Sequence, residues 1–195
     1  MEKKKLVLAS GNKHKIKEIA QMLDDYEIIG YKELGADFEI EENGKTFYEN
    51  ALIKAKTVAE YLGIPCLADD SGICVDALDG APGIFSARYA GDGIDEHNNE
   101  LLLENLKNKE DRRAKFVCCM VYYEPNGKII SSTGETLGEV TFAPEGEHGF
   151  GYDPIFYSYD LKKCLGVASE QEKNSISHRY RAIVGIKEKL KGLER

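Results

Sequence analysis

LADDSGICVDALDGAPGIFSARYAG, residues Leu67–Gly91, is the stretch on which the reading of the chain turns. It begins, behind Cys66, with Leu67 and Ala68, apolar residues that predict the end of a buried strand. Two adjacent carboxylates follow, Asp69 and Asp70, and then the pair Ser71-Gly72. Neighbouring residues on a strand point to opposite faces, so one acid can face a cleft while the other points elsewhere. An acid at a strand end, beside small turn-forming residues, is well placed to hold a divalent metal. The same letters also make an ordinary Asp-Ser-Gly turn. The rest of the chain has to separate the two readings.

Toward the N-terminus the pattern is that of an α/β protein. Phe47, Ala51, Ala55, Val58 and Leu62 share one helical face. Thr46 and Glu49 have capping-box spacing at its start, and Gly63 and Pro65 stop it. Lys54 on this helix reads as a surface lysine. Ahead of it lie Glu42, an Asn43-Gly44 turn and a short strand around Glu27–Gly30. The first strand, Leu6–Ala9, runs through Ser10-Gly11-Asn12 into an amphipathic helix, KHKIKEIAQML, with Lys13, Lys15 and Lys17 near its start. Cations there oppose the helix dipole unless an anion binds. Strand, glycine turn and helix start together make a generic phosphate cradle, in which backbone N–H groups point outward.

Toward the C-terminus, Glu96–Leu106 reads as a helix. Arg113–Glu124 and Lys128–Thr141 read as two strands joined at Asn126-Gly127. Pro144–Phe156, PEGEHGFGYDPIF, is too irregular for a strand. Ser177–Leu193 reads as a closing helix with Ile183, Ile186, Leu190 and Leu193 inward. Early α/β units, a central hairpin and a final helix predict an α/β fold around a mixed sheet, with residues 1–195 forming one domain.

Composition narrows the function. Against 26 Lys and Arg stand 34 Asp and Glu, a formal charge of −8. That argues against nucleic acid or an anionic membrane as the partner, though not against a nucleotide held in a local basic pocket. No apolar run approaches a membrane span, and the Met1–Lys5 start leads into too short an apolar segment for a signal peptide. The five cysteines are odd in number and form no CxxC, as expected of reduced thiols in a cytoplasmic protein. The four histidines are scattered, with no HExxH.

A phosphate cradle with separated carboxylates suits Mg²⁺-assisted attack of water on a phosphoanhydride. The rival is an aspartic protease, from Asp70-Ser71-Gly72. It needs two such carboxylates, so with no second Asp-Ser-Gly the chain would have to act as a symmetric dimer, and it leaves the basic turn and Gly149–Asp153 without a role.

The chain resembles the inosine triphosphate pyrophosphatase family. The resemblance is carried by Ser10-Gly11-Asn12 with Lys15, Glu42 through Thr46–Ala51, Ala68–Gly72, Gly80–Gly83 with Ser86–Tyr89, Gly149–Phe156, and Glu172–Asn174 with Ser177–Arg179. These motifs follow in family order along essentially the whole chain. The resemblance implies an elongated mixed β-sheet flanked by helices, with two lobes around a central nucleotide cleft, in a homodimer. It implies Mg²⁺-dependent hydrolysis of XTP, ITP and dITP to the monophosphate and pyrophosphate. Asp70 would be proton acceptor and metal ligand, Glu42 the second metal-binding acid, and Lys54 an active-site lysine. Ser10, Gly11, Asn12, Lys13, His14 and Lys15 would hold the triphosphate. Ser71, Phe150, Gly151, Tyr152, Asp153, Lys173, His178 and Arg179 would contact substrate. The chain departs from the family in Ser10, where many relatives have Thr, and in Cys164–Ala168, which lacks a Glu-Leu often found before the Lys173 motif. A pyrimidine-directed pyrophosphatase and a non-enzymatic purine-nucleotide sensor are the alternatives.

Overall fold

The computed structural model describes residues 3–191. The chain runs through β1 (Lys4–Leu8), α1 (Lys13–Met22), β2 (Tyr26–Gly30), α2 (Phe47–Leu62), β3 (Cys66–Val75), α3 (Asp95–Asn105), β4 (Arg113–Tyr123), β5 (Ile129–Val140), β6 (Phe156–Ser158), β7 (Lys163–Cys164), α4 (Glu170–Ile176) and α5 (His178–Lys191). The strands form a sheet in the order β2-β1-β3-β4-β5-β6-β7. β1 lies parallel to β2 and β3, while β6 lies antiparallel to β5 and β7. The fold is therefore α/β, a mixed sheet flanked by helices, as the element order predicts.

The chain divides into two compact units. One takes in the chain up to Asp70, Cys118–Gly134 and the part from Arg179 onward; the other comprises Ser71–Val117 and Glu135–His178. In the first unit, strand alternation sorts the core into two layers. Val7, Cys66, Ala68, Cys119 and Val121 pack with Ala51, Ala55 and Val58 of α2. Leu6, Leu8, Leu67, Cys118 and Met120 pack with Ile19 of α1 and Ile183 and Ile186 of α5. In the second unit Ile73, Val75, Leu102, Phe116, Ile155, Phe156 and Leu165 share one cluster.

The principal correction falls on the opening stretch. No strand end or turn occurs at Asp69–Gly72; β3 runs through these residues to Val75. Gly72 serves close approach instead of chain reversal. A Cβ there would stand 2.3 Å from the Gly83 carbonyl oxygen and 2.4 Å from Ser86 Oγ. Ser86 Oγ accepts from Ile73 N at 2.9 Å and donates to the Gly83 carbonyl at 2.6 Å, fastening residues 83–86 to the strand.

Helix ends follow the sequence signals with two differences. Thr46 caps α2 and Gly63, at φ +69°, ends it. Glu49, expected to bond back to Thr46 N, accepts from Lys45 N at 2.6 Å instead. The closing helix is α5, as expected, and a further short helix, α4, precedes it. Ser169 and Glu172 form a capping box for α4, and Ser177 separates it from α5. That box was a readable signal for α4, which periodicity did not reveal. Ile183 and Ile186 are buried as expected, and Leu193 lies outside the described residues.

Candidate active site

Because Ala68 faces the α2 layer, so does Asp70 two residues on, and α2 supplies its neighbours. Asp70 Oδ2 accepts from Asn50 Nδ2 at 3.1 Å, and its Oδ1 lies 3.7 Å from Lys54 Nζ. Lys54 Nζ also donates to Glu42 Oε2 at 2.9 Å. Asn50 Oδ1 accepts from Gly44 N at 2.8 Å, which fixes the amide with its NH₂ toward Asp70. Burial raises the proton affinity of Asp70 above that of an ordinary carboxylate, outweighing the opposing pull of Lys54, Lys15 and Asn50. Burial pulls the proton affinity of Lys54 down, but Asp69, Asp70 and Glu42 more than offset it and raise it above that of an ordinary lysine.

Lys54 corrects the surface reading, since its relative exposure is only 9%. Asn50 and Lys54 are one helical turn apart and lie among Ala51, Ala55 and Val58. The small alanines of this face leave room for two polar side chains. The same spacing was the signal that could have flagged both.

Asp69 continues the Leu67 face, toward α1 and α5. It is 1% exposed, with Lys15 Nζ 3.1 Å and Arg179 Nε 3.5 Å from its Oδ2. Arg179, 1% exposed at the start of α5, also pairs with Glu18 of α1. Cys118 Sγ lies 3.9 Å from the same Asp69 oxygen. Burial opposes a charge on Asp69, but Lys15, Arg179 and Lys54 overcome it and hold the carboxyl well below the usual range. Glu18 and the pairing of Arg179 with Asp69 went unread in the sequence.

The turn ahead of α1 is built as expected, with one difference. Asn12 caps the helix, its Oδ1 accepting from His14 N at 2.9 Å and Lys15 N at 3.2 Å. Ser10 Oγ accepts from Asn12 N at 3.2 Å. These backbone donors are thus already engaged by the turn's own side chains. Gly11, Lys13 and His14 are exposed, and Ser10 and Lys15 are half-buried.

In the second unit the glycine-aromatic segment folds around Asp153. Its Oδ2 accepts from Phe150 N at 2.9 Å and from Lys173 Nζ at 2.6 Å. Lys173 Nζ also lies 4.5 Å from the centroid of the Phe150 ring. Tyr152 OH donates to the Ser86 carbonyl at 2.7 Å. His178 stacks on Phe116, with centroids 4.8 Å apart. The departure at Cys164–Ala168 forms a single 3₁₀ turn over Leu165–Val167. The Cys164 thiol there donates to the carbonyls of Asp153 and Pro154 at 3.3 and 3.2 Å. Ser71 is half-buried in β3. Asp70, Glu42, Lys54 and Lys15 thus gather with Arg179 in the first unit, and Phe150–Asp153 gather with Lys173 in the second.

A model of the Ham1 family matches residues 6–189. This chain belongs to the Ham1 family. A dITP/XTP pyrophosphatase of Clostridium perfringens (strain 13 / Type A) is 46% identical to it, over 97% of this chain and 98% of that protein. A dITP/XTP pyrophosphatase of Treponema denticola is 44% identical, over 96% and 99% of the two chains. The solved structure of the Staphylococcus aureus Ham1 protein matches with a TM-score of 0.88 at 45% identity, covering 97% of this chain and 99% of that one. The Ham1 span takes in every site residue described above, from Ser10 to Arg179.

Proposed function

We propose that this Ham1-family chain is a nucleoside triphosphate pyrophosphohydrolase, with residues 1–195 as one enzymatic domain. It hydrolyses the non-standard purine nucleotides dITP, XTP and ITP to the monophosphate and pyrophosphate. The observation that carries the mechanism is Asp70, a buried carboxylate of raised proton affinity, oriented by Asn50 and set beside Lys54 and Glu42.

Release of pyrophosphate breaks the bond between the α-phosphorus and the oxygen leading to the β-phosphate, as a water oxygen attacks that phosphorus. Asp70 takes the proton of this water, and its raised affinity makes it a stronger base than an ordinary carboxylate. The Lys54 ammonium offsets charge growing on the phosphoryl oxygens. The Ser10–Lys15 turn, with its lysines and His14, holds the remaining phosphates. Ser71, Phe150–Asp153, Lys173, His178 and Arg179 supply the other substrate contacts. Lys173 can only donate a hydrogen bond, which suits a 6-keto base and opposes the amino group of adenine. Sites built around such a bond can discriminate by ~10⁴-fold.

A metal fits this site. Glu42 and Asp70 are hard oxygen donors that already share one cation, the ammonium of Lys54. Among the described residues no group of three or more acidic, His or Cys side chains is gathered as a cage. Two carboxylates without a protein cage suit Mg²⁺, which completes its shell with water and phosphate oxygens. When bound, Mg²⁺ would offset phosphate charge and align the phosphate chain.

Among the described residues no helix is long and apolar enough to cross a membrane. The reading places the enzyme in the cytoplasm as a homodimer without nucleic-acid partners. Exposed Leu137 and Tyr159, whose backbones are bonded at 3.2 Å, offer apolar surface for such an association.

The test is a panel of XTP, ITP, dITP, ATP, GTP and dTTP with Mg²⁺, with product identification. Release of pyrophosphate from the first three is expected. Release of orthophosphate would overturn the mechanism, and equal turnover of ATP the specificity. Preference for dTTP would favour the pyrimidine-directed alternative, and binding without turnover the sensor.

A further inference from the structure

The start of α3 carries no part of the chemistry above, yet its polar side chains are aimed at backbone in two neighbouring segments. Asp95 Oδ2 accepts from Gly151 N at 2.7 Å, and Asn99 Nδ2 donates to the Gly151 carbonyl at 3.1 Å. Asp95 and Asn99 are four residues apart, one above the other on one helix face. Between them they hold both backbone polar groups of the glycine at the centre of Phe150–Asp153. Asn98, 1% exposed on the same turn, accepts from Ala90 N at 2.7 Å and donates to the Ala87 carbonyl at 3.4 Å. The 87–90 segment follows Ser86, whose carbonyl receives the Tyr152 hydroxyl. The loop is therefore backed from two directions, by α3 directly and through the end of the Leu67–Gly91 stretch.

Asn99 is costly as mere packing. It is nearly buried, and its Oδ1 has no hydrogen-bond partner among the described residues. A buried acceptor left without a partner carries a standing penalty that an apolar residue of similar size would avoid. What the amide does is grip Gly151. Reversing it would set its oxygen against the Gly151 carbonyl, so that single bond fixes its orientation.

We propose that Asp95 and Asn99 are positioning residues for the purine nucleotide, holding Gly151 so that Phe150 and Asp153 are preset before substrate arrives. The proposal rests on the reading of Phe150–Asp153 as substrate contacts. Asp153 fastens the loop from within, through Phe150 N and Lys173, while Asp95 and Asn99 fasten it from outside. Without them the loop must be ordered at the expense of binding energy, and the loss falls on ground state and transition state alike.

The experiment compares kcat and KM for XTP and dITP, with thermal melts, in wild type and in Asp95→Ala, Asp95→Asn, Asn99→Ala and Phe150→Ala. Asp95 is exposed, so its variants are expected to fold. Asp95→Ala and Asn99→Ala are expected to raise KM about 3- to 10-fold with kcat held within about two-fold. Asp95→Asn, which keeps an acceptor oxygen, is expected to restore KM to near wild type. A wild-type KM in Asp95→Ala, or Asp95→Asn as impaired as Asp95→Ala, would overturn the proposal. An unchanged KM in Phe150→Ala would overturn the substrate role of the loop, and the positioning role with it.

Discussion

Asp69 and Asp70 are bonded neighbours of one chemical type, and the fold treats them in opposite ways. Asp69 faces the α1 and α5 layer, sealed from solvent, with Lys15 and Arg179 beside one oxygen. Those cations hold its proton affinity well down against the effect of burial, so it is a fixed charge. Asp70 faces the α2 layer, with one amide donor at 3.1 Å and a more distant ammonium at 3.7 Å. Burial prevails there and its proton affinity rises. A carboxylate held by close cations organises its neighbours and is a weaker base than an ordinary one. One that is desolvated and sparsely paired is a stronger one. One residue of offset along a strand is enough to assign the two roles.

Asp70→Asn breaks the comparison on the functional side. Loss of a general base costs on the order of 10³-fold in kcat, about 4 kcal/mol of barrier. Nucleotide binding, measured by calorimetry with a non-hydrolysable XTP analogue, should persist. Stability should not fall. A carboxyl whose folded pKa is raised contributes stability that is fully present below its unfolded value of ~3.9 and is lost as pH rises through the folded pKa. At neutral pH the ionised Asp70 is therefore a burden on the fold, and a neutral amide relieves it. Near-normal turnover would remove Asp70 from the base position.

Asp69→Asn breaks the comparison on the structural side. Removing one partner of a buried ion pair leaves the other uncompensated, and the loss expected here is about 3 kcal/mol, at the low end because Arg179 keeps Glu18. The sign with pH is the reverse of that for Asp70. The folded pKa of Asp69 lies below the unfolded ~3.9, so between the two the unfolded chain binds more protons. Its contribution is complete above ~3.9 and is lost as pH falls through the folded pKa. In urea unfolding, the gap between wild type and Asp69→Asn should be flat above that value and close below it. A gap independent of pH would mean that the carboxylate charge is not what is lost.

The contrast was partly legible in the letters. Strand alternation was enough to say that the two acids diverge, and the apolar runs around Leu6 and Cys66 were enough for an α/β sheet. Asp-Ser-Gly suggested a strand end because these residue types favour turns. Gly72 is there for the approach of Gly83 and Ser86, a tertiary contact with no local signature. Lys54 looked like surface because a lone lysine usually is. Its charge is supported by carboxylates 12 and 16 positions away in sequence, a pairing that periodicity does not carry. Arg179 was placed by resemblance among the substrate contacts, and its pairing with Asp69 and Glu18 could be seen only once α5 was set against α1.

The finest test of the comparison leaves both acids in place and changes what Asp70 is given. The hydrogen bond from Asn50 pulls the Asp70 proton affinity down, against burial, which pushes it up. Asn50→Ala removes that donor and leaves Gly44 N without its acceptor. The expected cost in kcat/KM at neutral pH is about 5- to 10-fold, the scale of one buried hydrogen bond. The pH profile is more telling than the size. Activity requires the ionised Asp70, so losing a bond to the ionised form should move the acid limb of kcat/KM to higher pH. Asn50→Asp should move it further, because a second carboxylate in the amide's place disfavours ionisation of the first. If both variants lose activity while the acid limb stays where it is, Asn50 only braces α2 against the Gly44 turn, and the raised proton affinity of Asp70 would not be the property on which turnover depends.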